Sequence, residues 1–443
     1  MQIDKTTLND LSVFHADEEY SLLNRVDYCR TNEGRAVLKK IFSAPLESIA
    51  EIKTVQEILK FYQAKLSDWP LRITNGNLLV IEKFLDDQPE PIPTSPNIIN
   101  ATAYKLLHPA DFSMIVFSMK QVVEFFSGFR EIVTFFSNSS HPKKLDDILH
   151  ECRSILSNNA LQANYTKKEF STLTTPELLD YARLIHVEFI SETRKLIKHY
   201  GILDAWYAMA KANQTLGLHS PQFIEQEDPM IRVAGLKHVL LSNPVGYDLE
   251  MNRDKNFIFL TGANMAGKST LIKAVGLSVY LAHLGMGVPA DEMKLTLFEG
   301  ILSNINVADN IVKGESYFFN EVKRIKETIL RINDGRRWLI LIDELFKGTN
   351  IQDAMKCSLA VIEGLNKMKN GLFILSSHLY EIGEELKNIP SISFKYFETE
   401  LKDNELLFSY KLKDGISKDR MGYLILQREG VTTLLENIGK YTQ

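Results

Sequence analysis

A glycine-containing loop between an apolar run and a helical segment constrains this chain more than any other feature. Residues 257–261 read FIFLT, residues 262–269 read GANMAGKS, and a helix-type apolar pattern follows. The loop has the spacing G-x-x-x-x-G-K-S/T, in which glycines let backbone N–H groups turn inward and the lysine adds a cation. Such loops cradle phosphate groups at a helix N-terminus. The sequence therefore predicts a nucleotide-binding site made of Gly262, Ala263, Asn264, Met265, Ala266, Gly267, Lys268, Ser269 and Thr270.

The second half of the chain has the pattern of an α/β domain. Residues 257–261, 338–342 and 372–376 are nearly uninterrupted apolar runs, which is typical of strands covered on both faces. We expect them to form a largely parallel sheet. Residues 391–397 and 405–412, separated by a short polar turn, predict an antiparallel hairpin.

The first half has the apolar spacing of helices. Apolar residues recur three and four apart in six segments, residues 33–42, 48–66, 113–136, 144–157, 176–200 and 203–215. The pattern changes near residues 216–226, where we place the boundary between a helical domain (residues 1–222) and an α/β domain (residues 223–443). The predicted fold class is therefore all-α plus α/β. Six phenylalanines within residues 117–136 recur at helical spacing and are expected in the core.

Two carboxylates close the apolar run at residues 338–342. Asp343 and Glu344 would then lie at the carboxyl end of a buried strand, which is where α/β sheets bind ligands. We expect Asp343 and Ser269 to hold Mg²⁺, Glu344 to accept a proton from the water that attacks the γ-phosphate, and Lys268 to contact the phosphates. His378 follows the next apolar run and is expected to touch the γ-phosphate and that water.

Ser316 precedes a helical pattern that begins at residue 317 and admits two interpretations. Its hydroxyl can simply cap the helix. Alternatively, the hydroxyl and the exposed N–H groups form an anion site for a γ-phosphate held by another copy of the chain. The order of loop, serine-led helix and Asp343-Glu344 strand is that of ABC-type ATPases and favours the second interpretation. The loop at Lys347, Gly348, Thr349 and Asn350 suits a contact with that second site.

These motifs resemble the MutS family of DNA mismatch repair ATPases. Residues 261–270 read TGANMAGKST, which differs from the family's TGPNMGGKST at two small residues. Other segments match in family order: Val288-Pro-Ala290, Ser316-x-Phe318-x-x-Glu321, Asp343-Glu344-x-x-x-Gly348-Thr349, Ser377-His378, Lys413-Asp-Gly415, and Met421-Gly-Tyr423 to Gly430-Val431. A weaker likeness covers residues 30–34, 45–46 and 220–223. The resemblance implies a core and lever domain, an ABC-type ATPase domain, ATP and Mg²⁺ as cofactors, DNA as a partner, and a homodimer that forms on ATP binding.

The chain also departs from the family pattern. The core-like pattern begins within the first 35 residues, so we expect no mismatch-reading or connector domain before it. Phe223-Ile224-Glu225 has the spelling of the family's mismatch probe but stands at the domain junction, and we interpret it as coincidence. A reduced or missing DNA clamp and no C-terminal appendage are also expected. Asp291 stands where the family commonly has Gln, which puts the role of that loop in doubt.

Composition excludes several classes. The chain is 45% hydrophobic with a net charge of −5, which is typical of a globular protein and is not the signature of a strongly basic nucleic-acid binder. The most apolar long stretch, residues 112–136, contains four charged side chains, so we predict no membrane span. Three widely separated cysteines and a start without a signal-like pattern favour the cytoplasm.

The predicted function is ATP hydrolysis at composite sites in a dimer, acting on DNA in repair or recombination. An ATP-driven dimerisation switch that grips a protein partner, with no role on DNA, is the alternative. A metabolic P-loop kinase is disfavoured because Ser316 and the 347–350 loop would then have no role.

Overall fold

The computed structural model describes residues 1–87, 90–137, 141–158, 170–263, 265–305, 317–402, 405–417 and 430–437. Asn264, Ser316 and the segment at 421–423 lie outside these ranges. The chain packs as two compact units. One unit comprises residues 26–44 and 53–215, and the other comprises residues 1–25, 45–52 and 216–443.

The unit of residues 26–44 and 53–215 is helical in its described part. Its α-helices and those that extend into it are Leu22–Val26, Asn32–Ser43, Ile49–Gln63, Asn75–Asp86, Ile98–Leu107, Pro109–Phe135, Lys143–Leu156, Thr175–Arg183 and Ile190–Thr215. Short 3-10 turns span Leu66–Asp68 and Phe170–Thr172, and a π-helical turn spans Leu184–Glu188. The predicted phenylalanine core is present, since Phe125, Phe126, Phe129 and Phe136 are buried. Phe117 is an exception and is 57% exposed.

The predicted division between helices 176–200 and 203–215 is wrong. The chain is interrupted earlier, at the π-helical turn Leu184–Glu188, and then runs as one helix from Ile190 to Thr215. Gly201 lies within this helix, at a point where the helix packs closely against the helix Asn32–Ser43. A Cβ there would lie 2.7 Å from the Glu33 side chain of the helix Asn32–Ser43. A glycine that looks like a helix breaker in the sequence therefore serves helix packing.

A seven-stranded sheet organises the other unit. Its strands are β1 (Gln2–Ile3), β5 (Phe257–Thr261), β7 (Gly300–Asn304), β8 (Trp338–Asp343), β9 (Gly371–Ser376), β10 (Ile392–Lys402) and β11 (Glu405–Asp414). They lie in the order β1-β7-β8-β9-β5-β10-β11. All neighbours are parallel except β10 and β11, which form the predicted antiparallel hairpin. The largely parallel α/β sheet expected from the apolar runs is confirmed.

A smaller four-stranded sheet belongs to the same unit. It consists of β2 (Gln222–Phe223), β3 (Ile231–Leu236), β4 (Tyr247–Met251) and β6 (Glu292–Leu295), in the order β2-β6-β3-β4. Strand β3 alternates buried and exposed residues, as a strand covered on one face does.

The helices of this unit are Lys5–Asp10, Lys268–His283, Tyr317–Ile332, Ile351–Asn366, Tyr380–Leu386 and Val431–Asn437, with a 3-10 turn at Glu18–Tyr20. A core of aromatic and aliphatic side chains from β5, β8 and β9, which includes Phe257, Trp338 and Phe373, packs between the sheet and its helices. Within the described ranges, no helix is long and apolar enough to cross a membrane.

The two compact units do not correspond to the single boundary between residues 222 and 223 that the sequence predicts. Residues 1–25 pack with the sheet because β1 pairs in parallel with β7, which places Gln2 opposite Gly300 and Ile3 opposite Ile301. Residues 45–52 join the same unit, where the Leu46 N–H donates to the carbonyl oxygen of His283 at 2.8 Å.

Candidate functional site

The loop after β5 has backbone geometry that favours glycine at two positions. Gly262 and Gly267 have φ angles of 137° and 110°, which side chains with a Cβ rarely adopt. A Cβ on Gly262 would also lie 3.3 Å from the carbonyl oxygen of Phe397 in β10. Gly267 forms the N-cap of the helix Lys268–His283. Strand, loop and helix therefore follow one another as the phosphate-cradling pattern requires.

Lys268 is buried and folded back over the start of this loop. Its Nζ donates to the carbonyl oxygens of Gly262 at 2.8 Å and Ala263 at 3.1 Å. Burial lowers the pKa of the ammonium group, and the nearby carboxylates of Glu344 and Asp343 oppose this effect. The lysine is thus held at the mouth of the loop with two carboxylates in its surroundings.

Sheet order explains why distant parts of the sequence meet here. Strand β9 lies between β5 and β8, and all three run parallel. Their carboxyl ends therefore lie along one edge, where the 262–269 loop, Asp343-Glu344 and Ser377-His378 emerge. This edge of a parallel sheet is the usual place for ligands in α/β folds.

Asp343 is bonded on both of its carboxylate oxygens. The Ser269 hydroxyl donates to Oδ2 and the Ser376 hydroxyl donates to Oδ1. Ser269 comes from the helix after β5, Ser376 from the end of β9 and Asp343 from the end of β8. The structure thus brings together the two side chains that the sequence predicts as Mg²⁺ ligands, and hydroxyl and carboxylate oxygens are donors of the kind that Mg²⁺ takes.

Glu344 adopts a strained backbone conformation and faces three cationic or titratable groups. Its φ is 63°, and its N–H donates to the Ser376 carbonyl oxygen at 3.2 Å. His378 Nδ1 lies 3.6 Å and Lys347 Nζ lies 3.2 Å from Glu344 Oε2. The imidazole of His378, together with Lys347 and Lys268, outweighs burial and lowers the pKa of Glu344 to about 2. A left-handed conformation at a non-glycine residue is a kind of strain that clusters at functional sites.

A buried carboxylate, Glu321, holds the loop that follows Glu344. The backbone N–H groups of Lys347 and Gly348 donate to its two carboxylate oxygens at 3.3 and 3.4 Å. Burial raises the pKa of Glu321, and these backbone hydrogen bonds oppose the shift. The sequence motif contains Glu321, but its place in the sequence gave no sign of this contact.

Several of these residues line a cleft of about 660 Å³. The predicted residues along it are Met265, Gly267, Lys268, Ser269, Thr270, Asp343 and Glu344. Lys347 of the loop after Glu344 also lines the cleft, and the remaining wall was not anticipated from the sequence. It comprises Leu241, Ser242, Asn243, Pro244, Val245, Tyr247 and Tyr410. This wall supplies apolar and aromatic surface beside a polar, charged edge, which is the usual composition of a small-molecule site.

Among the predicted site residues that the structure describes, six do not line the cleft: Gly262, Ala263, Ala266, Thr349, Asn350 and His378. Asn264 and Ser316 lie outside the described residues. Asn350 caps the helix Ile351–Asn366, where its side chain accepts from the Asp353 N–H at 3.0 Å. Thr349 precedes it in the same loop, and neither residue lines the cleft. A contact with a second copy of the chain therefore stays a prediction for Ser316, Thr349 and Asn350.

Comparison with known proteins adds a family to this geometry. Residues 258–436 match the family model of MutS domain V. The DNA mismatch repair protein MutS of Pseudothermotoga lettingae is 35% identical over 183 residues, which are 41% of this chain and 22% of that protein. The chain is MutS-like. The resemblance read from the sequence motifs is thereby confirmed.

Longer but less similar matches extend beyond that domain. The MutS proteins of Petrotoga mobilis and of Streptococcus pyogenes serotype M1 are each 27% identical, over 247 and 249 residues. These matches cover 55% of the MutS-like chain but only 30% and 29% of the relatives. The chain thus spans less than a third of the length of these relatives.

Proposed function

We propose that this MutS-like chain binds ATP with Mg²⁺ and hydrolyses it at composite sites shared by two copies of the chain, and that it uses this cycle on DNA in repair or recombination. The observation that carries the proposal is the hydrogen bond between Ser269 and Asp343, with Glu344 directly beside it. It joins the glycine-containing loop and the acidic strand end in one cleft. The match to MutS domain V, the ATPase domain of that family, supports the same activity.

The 262–270 loop supplies the phosphate site. Its glycines allow the backbone to approach phosphate oxygens, and the N-terminus of the helix Lys268–His283 adds the positive end of the helix dipole. Lys268 exchanges its carbonyl partners for phosphate oxygens and gains a partner of opposite charge. Its present hydrogen bonds to Gly262 and Ala263 keep the ammonium aimed at the loop before nucleotide arrives.

Ser269 and Asp343 are the residues that would hold Mg²⁺. Bound Mg²⁺ neutralises charge on the phosphate oxygens as phosphoryl transfer proceeds. Ser376 holds the other oxygen of Asp343 and so fixes the direction of the carboxylate. An ion that keeps several waters needs only such a small set of protein ligands.

Glu344 is the proposed general base. It stands one residue beyond Asp343, and its low pKa means that it is ionised at neutral pH, which is the form a general base must have. His378 lies beside it, with Nδ1 3.6 Å from Oε2 of the carboxylate. The same imidazole is exposed enough to reach the γ-phosphate.

The wall of Tyr247, Tyr410, Leu241 and Val245 is the proposed site of the base. Aromatic and aliphatic surfaces stack against a purine without needing charge. The second copy of the chain would supply Ser316, Thr349 and Asn350 to the γ-phosphate side. A cytoplasmic location also remains a prediction from the sequence.

DNA as a partner is supported by the names of the relatives, each of which is called a DNA mismatch repair protein. A chain of net charge −5 is expected to hold DNA by local lysine and arginine contacts to phosphates, which carry no sequence information. Binding should then weaken steeply with salt and differ little between matched and mismatched duplex.

The test is the ATP hydrolysis rate with matched, mismatched and four-way DNA at two salt concentrations. Stimulation by DNA with less than threefold difference between matched and mismatched duplex is expected. A tenfold preference for a mismatch, about 1.4 kcal/mol, would show a mismatch reader that the proposal lacks. Turnover that no DNA stimulates would favour the protein-gripping switch.

A further inference from the structure

The first thirteen residues, here called the N-terminal segment, form an added edge of the large sheet. Gln2 and Ile3 pair in parallel with β7, and the Gln2 N–H donates to the Glu299 carbonyl oxygen at 2.7 Å. The amino group of Met1 donates to the Pro45 carbonyl oxygen at 3.1 Å. Leu11 and Val13 are fully buried. The segment is therefore fixed at both ends.

Two buried side chains of this segment hold the end of β7. Thr7 Oγ1 accepts from the Ser303 N–H at 2.9 Å, and Asp10 Oδ2 accepts from the Ser303 hydroxyl at 2.6 Å and from the Ile305 N–H at 3.0 Å. Thr7 and Asp10 are at most 2% exposed. Hydrogen bonds to Thr7 and Asp10 thus hold the end of β7 and the chain as far as residue 305.

Asp4 extends the contact to the helix Tyr317–Ile332. Its Oδ2 lies 2.9 Å from Arg324 Nη1 and 3.3 Å from Arg331 Nη1, so one carboxylate joins two arginines that are seven residues apart on the same helix. Arg324 Nη2 also donates to the Ser303 carbonyl oxygen at 2.9 Å. Burial alone raises the pKa of Asp4, but hydrogen bonds from Arg324 and Thr7 outweigh it and lower the pKa overall.

This arrangement fixes the helix in a way that apolar packing does not. Ile325 and Ile332 bury one face of the helix, while Phe319 and Leu330 on other faces are 53% and 70% exposed. Apolar contact is non-directional, so it tolerates sliding and rotation of a helix. Charge-assisted hydrogen bonds are directional, and two of them about two turns apart define both the rotation and the height of the helix.

The same helix contacts the nucleotide cleft at its other end. Glu321, one turn from the N-terminus, accepts the N–H groups of Lys347 and Gly348 in the loop after Glu344. Tyr317, the first residue of the helix, directly follows Ser316 in the chain. The position of this helix therefore determines what the loop at Lys347 and Gly348 and the residue before the helix, Ser316, can reach.

We propose that Asp4 is a positioning residue for the contact that one copy of the chain makes with the nucleotide of the other. It holds the helix Tyr317–Ile332 through Arg324 and Arg331 so that the start of the helix is presented to the second copy. The inference rests on the proposed function, because it assumes a nucleotide site shared between copies.

The decisive variant is Asp4→Asn, which keeps the size of the side chain and removes its charge. Three comparisons accompany it. Asp4→Glu restores the carboxylate and should recover activity, and Ser316→Ala removes the proposed contact itself. Asp228→Asn breaks another aspartate–arginine pair in the same unit, where Asp228 lies 3.1 Å from Arg253, and should leave turnover unchanged.

The first measurement separates binding from turnover. For Asp4→Asn, we expect the dissociation constant of ATP to stay within twofold of wild type, because the 262–270 loop is intact, and kcat to fall at least fivefold. Asp4→Glu should recover at least half of the lost rate. An unchanged kcat, or a loss that Asp4→Glu does not recover, would overturn the proposal.

Mixing variants tests whether Asp4 acts across the dimer. Glu344→Gln is inactive at its own site but keeps the N-terminal segment, so it can serve the intact site of an Asp4→Asn copy. An equimolar mixture of Asp4→Asn and Glu344→Gln should therefore hydrolyse ATP at least threefold faster than the sum of the rates of the two variants measured alone. A mixture of Ser316→Ala and Glu344→Gln should show the same gain. A mixture that equals the sum would mean that Asp4 affects only its own copy, and the proposal would be wrong.

Hydrogen exchange distinguishes failure of the role proposed for Asp4 from failure of the proposed function. If wild type shows no ATP turnover at all, the proposed function is wrong. Amide exchange in residues 317–332 should still be at least tenfold faster in Asp4→Asn than in wild type, with Asp228→Asn unchanged. Equal exchange in Asp4→Asn and wild type would show that Asp4 does not hold the helix.

Discussion

The Ser269 hydroxyl donates a hydrogen bond to Asp343, although 74 residues separate them in the chain. The contact exists because β5 and β8 run parallel with β9 between them, so the residues after both strands reach the same edge of the sheet. Both residues line one cleft, and the effect of this pair on the binding of Mg²⁺ can be measured.

Ser269→Ala and Asp343→Asn should each raise the Mg²⁺ concentration needed for tight nucleotide binding at least tenfold. Each change removes one oxygen ligand while leaving the loop backbone in place. Ser376→Ala is the matched comparison, because it removes the hydroxyl that orients Asp343 without removing a proposed ligand, and it should raise the requirement less than either variant. Titration of a fluorescent ATP analogue against Mg²⁺ measures this requirement. An unchanged requirement in both variants would contradict the assigned ligands.

The low pKa of Glu344 predicts how its contribution to stability depends on pH. A carboxyl group whose folded pKa is about 2 and whose ordinary value is 4.5 stabilises the fold above about pH 4.5, and this stabilisation is lost as the pH falls towards 2. Wild type should therefore gain less stability over Glu344→Gln at pH 4 than at pH 7, measured as a smaller difference in the free energy of unfolding.

Urea denaturation of both proteins at the two pH values measures this difference. The imidazole of His378, 3.6 Å away, is the main cause of the low pKa. In a His378→Ala background, the difference between pH 4 and pH 7 should therefore shrink. A stability difference between wild type and Glu344→Gln that is larger at pH 4 than at pH 7 would have the wrong sign. It would show that Glu344 is not stabilised as an anion.

Glu321→Ala should destabilise the sheet-containing unit and reduce turnover. It leaves the N–H groups of Lys347 and Gly348 without their buried acceptor, a loss that costs about 1–3 kcal/mol. Glu321→Gln keeps an acceptor oxygen and should cost less than half as much. Urea unfolding and kcat measured on the same preparations check both effects, and equal stability of Glu321→Ala and wild type would contradict the assigned role.

Two glycines of the same unit should respond oppositely to alanine. A Cβ at Gly300 would lie 2.1 Å from the ring of buried Trp338, so Gly300→Ala should destabilise by about 1–3 kcal/mol through overpacking. Gly364 lies in the helix Ile351–Asn366 with no atom within 4 Å of an added Cβ. Gly364→Ala should stabilise by about 0.4–1 kcal/mol. Thermal unfolding of both variants tests the pair, and a stabilising Gly300→Ala would contradict the packing described at β7.

The central strands and their acidic end were predictable because they leave strong local signals. Strands β5, β8 and β9 are buried on both faces, so each reads as an apolar run, and Asp343 and Glu344 stand at the point where one run stops. The loop spacing from Gly262 to Ser269 is equally local. Once these strands are assigned to one parallel sheet, their carboxyl ends lie at the same edge. Ser269 and Asp343 were expected to meet for that reason.

Contacts that rest on tertiary packing were not predictable. Strand β1 has two residues, too few to show any periodicity, and its partner β7 lies about 300 positions away. Tyr410 reaches the cleft from β11, and no spacing in the sequence connects it to Lys268. Asp4 and Glu321 look like ordinary surface carboxylates, since only the folded chain shows which N–H groups and arginines they meet.

The central claim is that Glu344 drives ATP hydrolysis in the cleft that Lys268, Ser269 and Asp343 form. The most direct test compares Mg²⁺-dependent ATP turnover and ATP binding in wild type, Glu344→Gln and Lys268→Ala. Wild type should hydrolyse ATP. Glu344→Gln should bind ATP within threefold of wild type and turn it over at least a hundredfold more slowly, whereas Lys268→Ala should lose binding as well. Turnover by Glu344→Gln within a few-fold of wild type would contradict the account.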